Sequence, residues 1–167
     1  MTAGRSAFVL TVSDRGAAGD REDTTGAAVA SRLAALGLVV ERGVVPDERA
    51  RIESTLVAAC ARHSLVVTAG GTGLTPRDVT PQATLAVIDY EVPGFAEAMR
   101  ADGRAKTPMA ILSRGVVGVR GRTLVVNLPG SPRGAVESLA SIEPVLGHAL
   151  DTLAGPHDHA GWPRAAG

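Results

Sequence analysis

Short apolar runs rich in β-branched residues alternate with helix-period segments through the first half of the chain, and this alternation limits the fold more than any other feature. "SAFVLTVS" (6–13) has the length and composition of a buried strand, and "LVVERGVV" (38–45) and "SLVVTA" (64–69) read as a second and a third strand. Between the first two, Val29, Leu33 and Leu36 recur at helical spacing, with Asp23 or Thr24 placed to cap and Gly37 to stop. Ile52, Leu56 and Ala59 mark a second helix after Pro46-Asp47. Strands joined through helices lie parallel. The expected class is therefore α/β, three-layer, with a mostly parallel sheet flanked by helices.

The second half continues the pattern with a variation. Thr80 before Pro81 reads as a hydroxyl cap followed by proline at the first helical position, with Leu85 and Ile88 on the buried stripe. "PGFAEAMRADGRA" (93–105) is a further helix. "GVVGVRGRTLVVNL" (115–128) reads as a hairpin turning at Arg120-Gly121-Arg122. Ser131 and Pro132 open the last helix as cap and proline, and Pro144 is expected to kink or break it. At 167 residues the chain suits one domain, read here as 1–153, with a poorly ordered tail over 154–167.

Seventeen basic residues balance seventeen acidic ones. A neutral chain gives no sign of general nucleic-acid or membrane-surface binding, so any anion must be held by a local site. Lys106 is the only lysine, so a lysine-based phosphate grip is nearly unavailable. Cys60 is the only cysteine; its place in a helical pattern marks it as a core thiol. With no signal peptide and no span-length apolar run, the expected location is the cytoplasm.

Three loops fall at the carboxyl ends of predicted strands, where ligands bind in open α/β sheets. The first holds Ser13 and Asp14, the second "GGTGLTPRD" from Gly70 to Asp78, the third "LPGSP" (128–132). Glycine lets main-chain amides converge on an anion, and a helix N-terminus adds further donors. Neither the loop at 70–73 nor that at 130–132, which supply both features, matches a standard nucleotide motif. A carboxylate beside such a cradle is repulsive unless a cation lies between. Asp78 therefore suggests Mg²⁺, with Asp47 or Asp14 as a second ligand. The local alternatives are structural. Asp78 can be a turn residue bonded to its own backbone, Asp47 a helix cap, and Asp14 a partner of Arg15, Arg21 or a neighbour. Ser113-Arg114 is a possible phosphate grip or an exposed polar pair. His63 and His148 read as structural or exposed, and His157 and His159 lie in the tail.

Taken together, "TVSDRGAAG", "VPDE", "TAGGTGLTPRDVTPQAT", "VPGFAEAMR" and "ILSRGVVGVRGRTLVVNLPGSPRG" resemble the molybdenum-cofactor biosynthesis family, over about residues 6–153. The likeness is strongest to its single-domain adenylyltransferase branch. It implies an α/β fold with a small β-hairpin excursion, usually a homotrimer, and Mg²⁺ with ATP and molybdopterin as substrates. The implied reaction transfers AMP to the terminal phosphate of molybdopterin and releases pyrophosphate, before a partner enzyme inserts molybdenum. By matching position, Asp47, Asp78 and Ser113 are implied in catalysis, with Asp78 and Asp47 as metal candidates. Ser13, Asp14, Gly70, Gly71, Thr72, Gly73, Thr80, Arg114, Pro129, Gly130 and Ser131 fall in ligand-contacting segments. Two other readings compete: a non-catalytic molybdopterin-binding or scaffold protein, and a nucleotide-cleaving enzyme of the competence-damage-inducible type.

Overall fold

The computed structural model describes residues 2–155. The tail expected from residue 154 begins later, since Ala154 still belongs to the last helix and Gly155 caps it; the rest of it, including His157 and His159, lies outside the described residues. Six strands form one mixed sheet in the order β2-β1-β3-β6-β5-β4: β1 (Ser6–Val12), β2 (Val39–Val45), β3 (Leu65–Ala69), β4 (Tyr90–Glu91), β5 (Val117–Arg120) and β6 (Thr123–Leu128). The four strands β2, β1, β3 and β6 run parallel; β5 and β4 extend the sheet antiparallel. The hairpin is thus part of the sheet, with β6 beside β3 and β5 turning back at Gly121, whose φ is +57°.

The helices are α1 (Asp14–Ala17), α2 (Thr24–Ala35), α3 (Arg49–Cys60), α4 (Thr80–Val87), α5 (Pro93–Lys106) and α6 (Pro132–Ala154), with a 3₁₀ turn at Pro108–Leu112. Two hydrophobic clusters show the three layers. Strand residues of one parity, including Val9, Val67 and Val126, pack with Val29, Met99, Leu139 and Ile142 of α2, α5 and α6. Those of the other parity, including Leu10, Val66 and Val125, pack with Ile52, Leu56, Ala83 and Val87 of α3 and α4. Period-2 alternation on strands covered on both faces explains why β1, β3 and β6 are almost wholly apolar, while the edge strand β2, with Glu41 and Arg42 in its middle, is mostly exposed.

Asp23 is the cap of α2, its Oδ1 accepting from the Gly26 amide at 2.7 Å, and the Ser131 hydroxyl accepts from the Gly134 amide at 3.1 Å to cap α6. Three expectations are corrected. Leu85 is 45% exposed, because α4 buries Ala83 and Val87 four residues apart and turns Leu85 outward. Of the kink or break expected at Pro144, the break is absent: α6 continues from Pro132 to Ala154, and Ile142 and Leu146 on either side are buried against the sheet. Val79, not Thr80, is the cap residue of α4. Cys60 is partly buried against the α3/α4 cluster, and burial pushes its thiol up to about 11, which keeps it protonated and unreactive.

Candidate active site

Parallel register brings the loops after β1, β2, β3 and β6 to one rim of the sheet. Gly70 has φ +106° and Gly71 φ +65°, backbone that side-chain-bearing residues rarely adopt. A Cβ on Gly70 would sit 2.5 Å from the Val12 carbonyl oxygen, and one on Gly71 would sit 2.3 Å from Thr80 Oγ1. The β6 loop lies against the same turn: a Cβ on Gly130 would come within 3.3 Å of the Gly70 Cα.

The carbonyls of this turn are all engaged. Thr80 Oγ1 donates to Gly70 O at 2.9 Å and Thr80 N to Gly71 O at 3.1 Å. Arg114 N donates to Thr72 O at 3.0 Å, and Arg114 Nε to Gly73 O at 2.7 Å. Arg114 Nη2 also reaches Asp78 O at 2.5 Å. Thr80 and Arg114 therefore brace the loop rather than reach outward. By contrast, the amides of Gly71, Thr72, Gly130 and Ser131 meet no acceptor among the described residues. Unpaired amides from two abutting loops form a concavity suited to an anion.

Three carboxylates adjoin it. Asp14 and Asp47 bracket each other, each amide donating to the other's carboxylate at 2.9 Å. This bracket, and not a helix cap, is what Asp47 makes; α3 is entered from Glu48 without a side-chain cap. Arg77 forks onto Asp14 at 2.6–3.0 Å, and this hydrogen-bonded pair, with the Asp47 amide, holds the Asp14 carboxyl below its usual range. Neither Arg15 nor Arg21 supplies that partner. Asp78 accepts from the Thr75 amide at 2.8 Å and the Thr75 hydroxyl at 2.7 Å, closing its own turn. Burial raises its pKa, but these bonds, the Gly73 main chain and the Arg114 charge outweigh that and lower it. Asp47 goes the other way. Burial presses its carboxyl upward, and the Asp14 and Asp78 charges add to this against the Asp14 amide and Arg77. An acid so placed gains from a nearby cation.

Among the described residues no group of three or more His, Cys, Asp or Glu side chains is arranged to hold a metal. A divalent ion that takes one or two carboxylates and fills its remaining positions with phosphate oxygens and water still fits. Each acid has one oxygen engaged, Asp47 Oδ2 by the Asp14 amide and Asp78 Oδ2 by Thr75, and Asp47 Oδ1 lies 3.4 Å from where a Gly71 Cβ would stand.

Two cavities open on either side of the β6 loop. One, of ≈ 180 Å³, is lined by Ser13, Asp47, Gly70, Gly71 and Gly130 together with Asp23. The other, of ≈ 270 Å³, is lined by Ser113, Pro129 and Ser131 with Met99, Met109 and Glu137. The candidate residues thus divide into three groups. Asp14, Thr72, Gly73, Asp78, Thr80 and Arg114 line neither cavity. Sequence reasoning missed Arg77, which stands beside Asp78 in the chain but serves Asp14. It missed Asp23 as a wall residue and the whole α5–α6 cavity, whose residues look like ordinary helix positions in the sequence.

The family model described as "Probable molybdopterin binding domain" matches residues 8–148. The chain belongs to that family. The matched span carries both cavities and the three carboxylates of this molybdopterin-binding domain. The molybdopterin adenylyltransferase of Helicobacter pylori J99 is 40% identical to it over 152 residues, 88% of this chain and 86% of that protein. Its namesake from Escherichia coli K12 is 40% identical over 147 residues, 85% and 75% of the two chains. The crystal structure of the molybdopterin biosynthesis enzyme MoaB from Thermus thermophilus superposes with a TM-score of 0.83 at 51% identity, covering 91% of this chain and 98% of that one. The α/β fold of the molybdopterin-binding domain is the one that structure has. Among the described residues no helix is long and apolar enough to cross a membrane.

Proposed function

We propose that the chain is a molybdopterin adenylyltransferase. A terminal phosphate oxygen of molybdopterin attacks the α-phosphorus of ATP; the bond from that phosphorus to the β-phosphate bridging oxygen breaks, and pyrophosphate leaves. A phosphomonoester dianion is already a nucleophile, so no Ser or Cys nucleophile and no strong base is required. Two anions must be brought together, which makes positioning and charge neutralisation the main work. The observation that carries this reading is the pair of abutting loops whose Gly71, Thr72, Gly130 and Ser131 amides have no acceptor among the described residues. They can hold phosphate oxygens without lysine.

Mg²⁺ would be held by Asp47 together with phosphate oxygens, supplying charge neutralisation. Asp78 keeps the loop closed through Thr75 and adds negative charge near Asp47. Ser113 donates to a substrate oxygen from the wall of the α5–α6 cavity. The resemblance of the motifs also supports a homotrimer, a cytoplasmic setting and a downstream molybdenum-insertion enzyme as recipient of the product.

Purified protein mixed with molybdopterin, Mg²⁺ and ATP is expected to yield adenylylated molybdopterin and pyrophosphate in equal amounts. Retention of the pterin with no product would assign the chain to the non-catalytic binders instead. Asp78→Asn should lower turnover on the order of 10²-fold while the protein stays folded, the size expected when one group that shapes a charged site is lost. A normal rate in this variant removes Asp78 from the site.

A further inference from the structure

A bare amide can hold a phosphate oxygen only if its peptide group faces the right way, and a trans peptide points its N–H opposite to its C=O. No peptide bond among the described residues is cis. The direction of each unpaired amide is therefore set by whatever holds the carbonyl of the residue before it. In the β3 loop Thr80 Oγ1 holds Gly70 O and Thr80 N holds Gly71 O, which turns the Gly71 and Thr72 amides the other way. In the β6 loop the same part is played from a different element. Thr25 Oγ1 donates to Gly130 O at 2.9 Å and so fixes the peptide whose opposite end is the Ser131 N–H.

Thr25 lies in the first turn of α2, 105 residues before the carbonyl it holds, and is buried. Threonine hydroxyls commonly bond to backbone within their own turn; this one crosses to another loop. The turn that carries it is itself clamped to the sheet. Asp23 Oδ1 accepts from the Gly26 amide at 2.7 Å, and its Oδ2 accepts from Thr11 Oγ1 on β1 at 2.9 Å and from Arg42 Nη2 on β2 at 2.7 Å. There is no room for a side chain on Gly26, whose Cβ would stand 2.2 Å from Asp23 Oδ2 and 2.3 Å from Thr11 Oγ1. The hydroxyl is thus tied through α2 to two strands, while Gly130 has no side chain that could fix its own peptide.

We propose that Thr25 is a positioning residue, which aims the Ser131 amide at phosphate oxygens by pinning the Gly130 carbonyl behind it. This rests on the transferase reading given above. The two abutting loops are then set by the same device, one buried threonine hydroxyl on a glycine carbonyl in each. Without the Thr25 bond the Gly130–Ser131 peptide can rotate, and the amide is misdirected in part of the population.

Thr25→Val keeps the side-chain volume and removes the donor. Turnover at fixed substrate concentrations is expected to fall about tenfold, less than the loss of a whole oxyanion donor because the amide is still present. Thr25→Ser keeps the hydroxyl and should stay within about twofold of wild type, and Thr25→Cys, a weaker donor, should fall between. Amide proton–nitrogen spectra need no turnover. Mg²⁺ with pyrophosphate should shift the amides of Gly71, Thr72 and Ser131 in wild type, and in Thr25→Val the Ser131 shift alone should be lost. A Ser131 amide that does not move in wild type would overturn the proposal, as would a shift that survives in Thr25→Val or a Thr25→Ser protein no more active than Thr25→Val. If the Ser131 shift behaves as expected but wild type makes no adenylylated pterin, the transferase reading fails while the role of Thr25 stands. Thr25→Val should melt within about 5 °C of wild type, the size of one unpaired carbonyl. Should it not fold, the order of activity decides: Thr25→Ser above Thr25→Cys supports the proposal and the two being equal overturns it.

Discussion

The two ends of the parallel strands are built on opposite plans. At the amino end, charged and polar groups are matched within the protein. Arg5 pairs with Asp151 at 2.5 Å, Arg62 with Glu41, and the Thr123 hydroxyl donates to the carbonyls of Cys60 and His63 at 2.9 and 2.7 Å. At the carboxyl end, four amides have no acceptor among the described residues, three acids lie within reach of one another's charge, and two glycines hold left-handed backbone. One end settles its electrostatics by itself. The other leaves them open, and an open balance of donors and acids is what a phosphate with a divalent cation would close. Mutations that sharpen this contrast should separate stability from activity at the carboxyl end and leave them joined at the other.

The largest effect is expected from Gly70→Ala. The added methyl group meets the Val12 carbonyl, which is backbone and cannot swing away, and the φ of +106° is itself strained for alanine. Left-handed strain and overpacking together should cost about 2–4 kcal/mol. The anion cradle is lost with it, so activity should fall by at least about 10²-fold while a melt shows the lower Tm. An alanine variant with wild-type Tm would mean that the turn is not held as described.

Asp47→Asn should break the contrast differently, by stabilising the ligand-free protein as it destroys function. The Asp47 carboxyl is raised, first by burial and then by Asp14 and Asp78. The folded state therefore prefers the protonated acid, and stability is lost as pH rises through the folded pKa. At neutral pH the ionised acid is a cost. Asparagine removes that cost and keeps an acceptor for the Asp14 amide. A partly exposed group sets a modest size, a gain of about 1–2 °C in Tm, while turnover drops by roughly 10²- to 10³-fold. Added Mg²⁺ with ATP should raise the Tm of wild type and not of the variant.

How much of this was legible in the chain differs between scaffold and site. Strands β1, β3 and the β5–β6 hairpin were plain because strands buried on both faces need nearly uninterrupted apolar runs, whereas the exposed edge strand β2 showed itself only by the paired valines at its two ends. The two-residue β4 was not, since Tyr90-Glu91 carries no period and pairs only because β5 offers an edge. The rim loops were legible through their glycines, whose cost is tolerated only where backbone must approach closely. What each polar residue does there was not legible. Thr80 looks like a cap and instead ties Gly70; Arg114 looks like a phosphate grip and instead holds the carbonyls of Gly73 and Asp78. Those roles depend on partners 10 and 36–41 residues away, distances over which spacing carries no signal.

The smallest expected effect belongs to the amino end, at His63, a group there that is not matched among the described residues. The His63 side chain is 3% exposed, and neither ring nitrogen has a hydrogen-bond partner among the described residues. It lies against Phe8, with ring centroids 5.5 Å apart. Burial depresses its pKa and Arg62 adds to that, while Glu41, with Oε2 3.6 Å from Nε2, opposes both. The sign follows from the unfolded chain taking up the proton more readily. The stability His63 allows is present above the unfolded pKa, about 6.5, and is lost as pH falls through the folded value. Asp14, Asp23 and Asp78 have lowered values, so their losses begin only near or below the unfolded carboxyl range, about 4. Between pH 7 and 5.5 Asp47, whose value is raised, acts in the opposite sense but is the same in wild type and in a His63 variant, so comparing the two isolates the histidine. Wild type should lose about 2–3 °C of Tm across that interval, and His63→Leu, which keeps the packing and cannot take a proton, should lose less than half as much. Equal slopes for the two proteins would mean that a protonated His63 finds a partner in Glu41, and that the amino end is matched throughout.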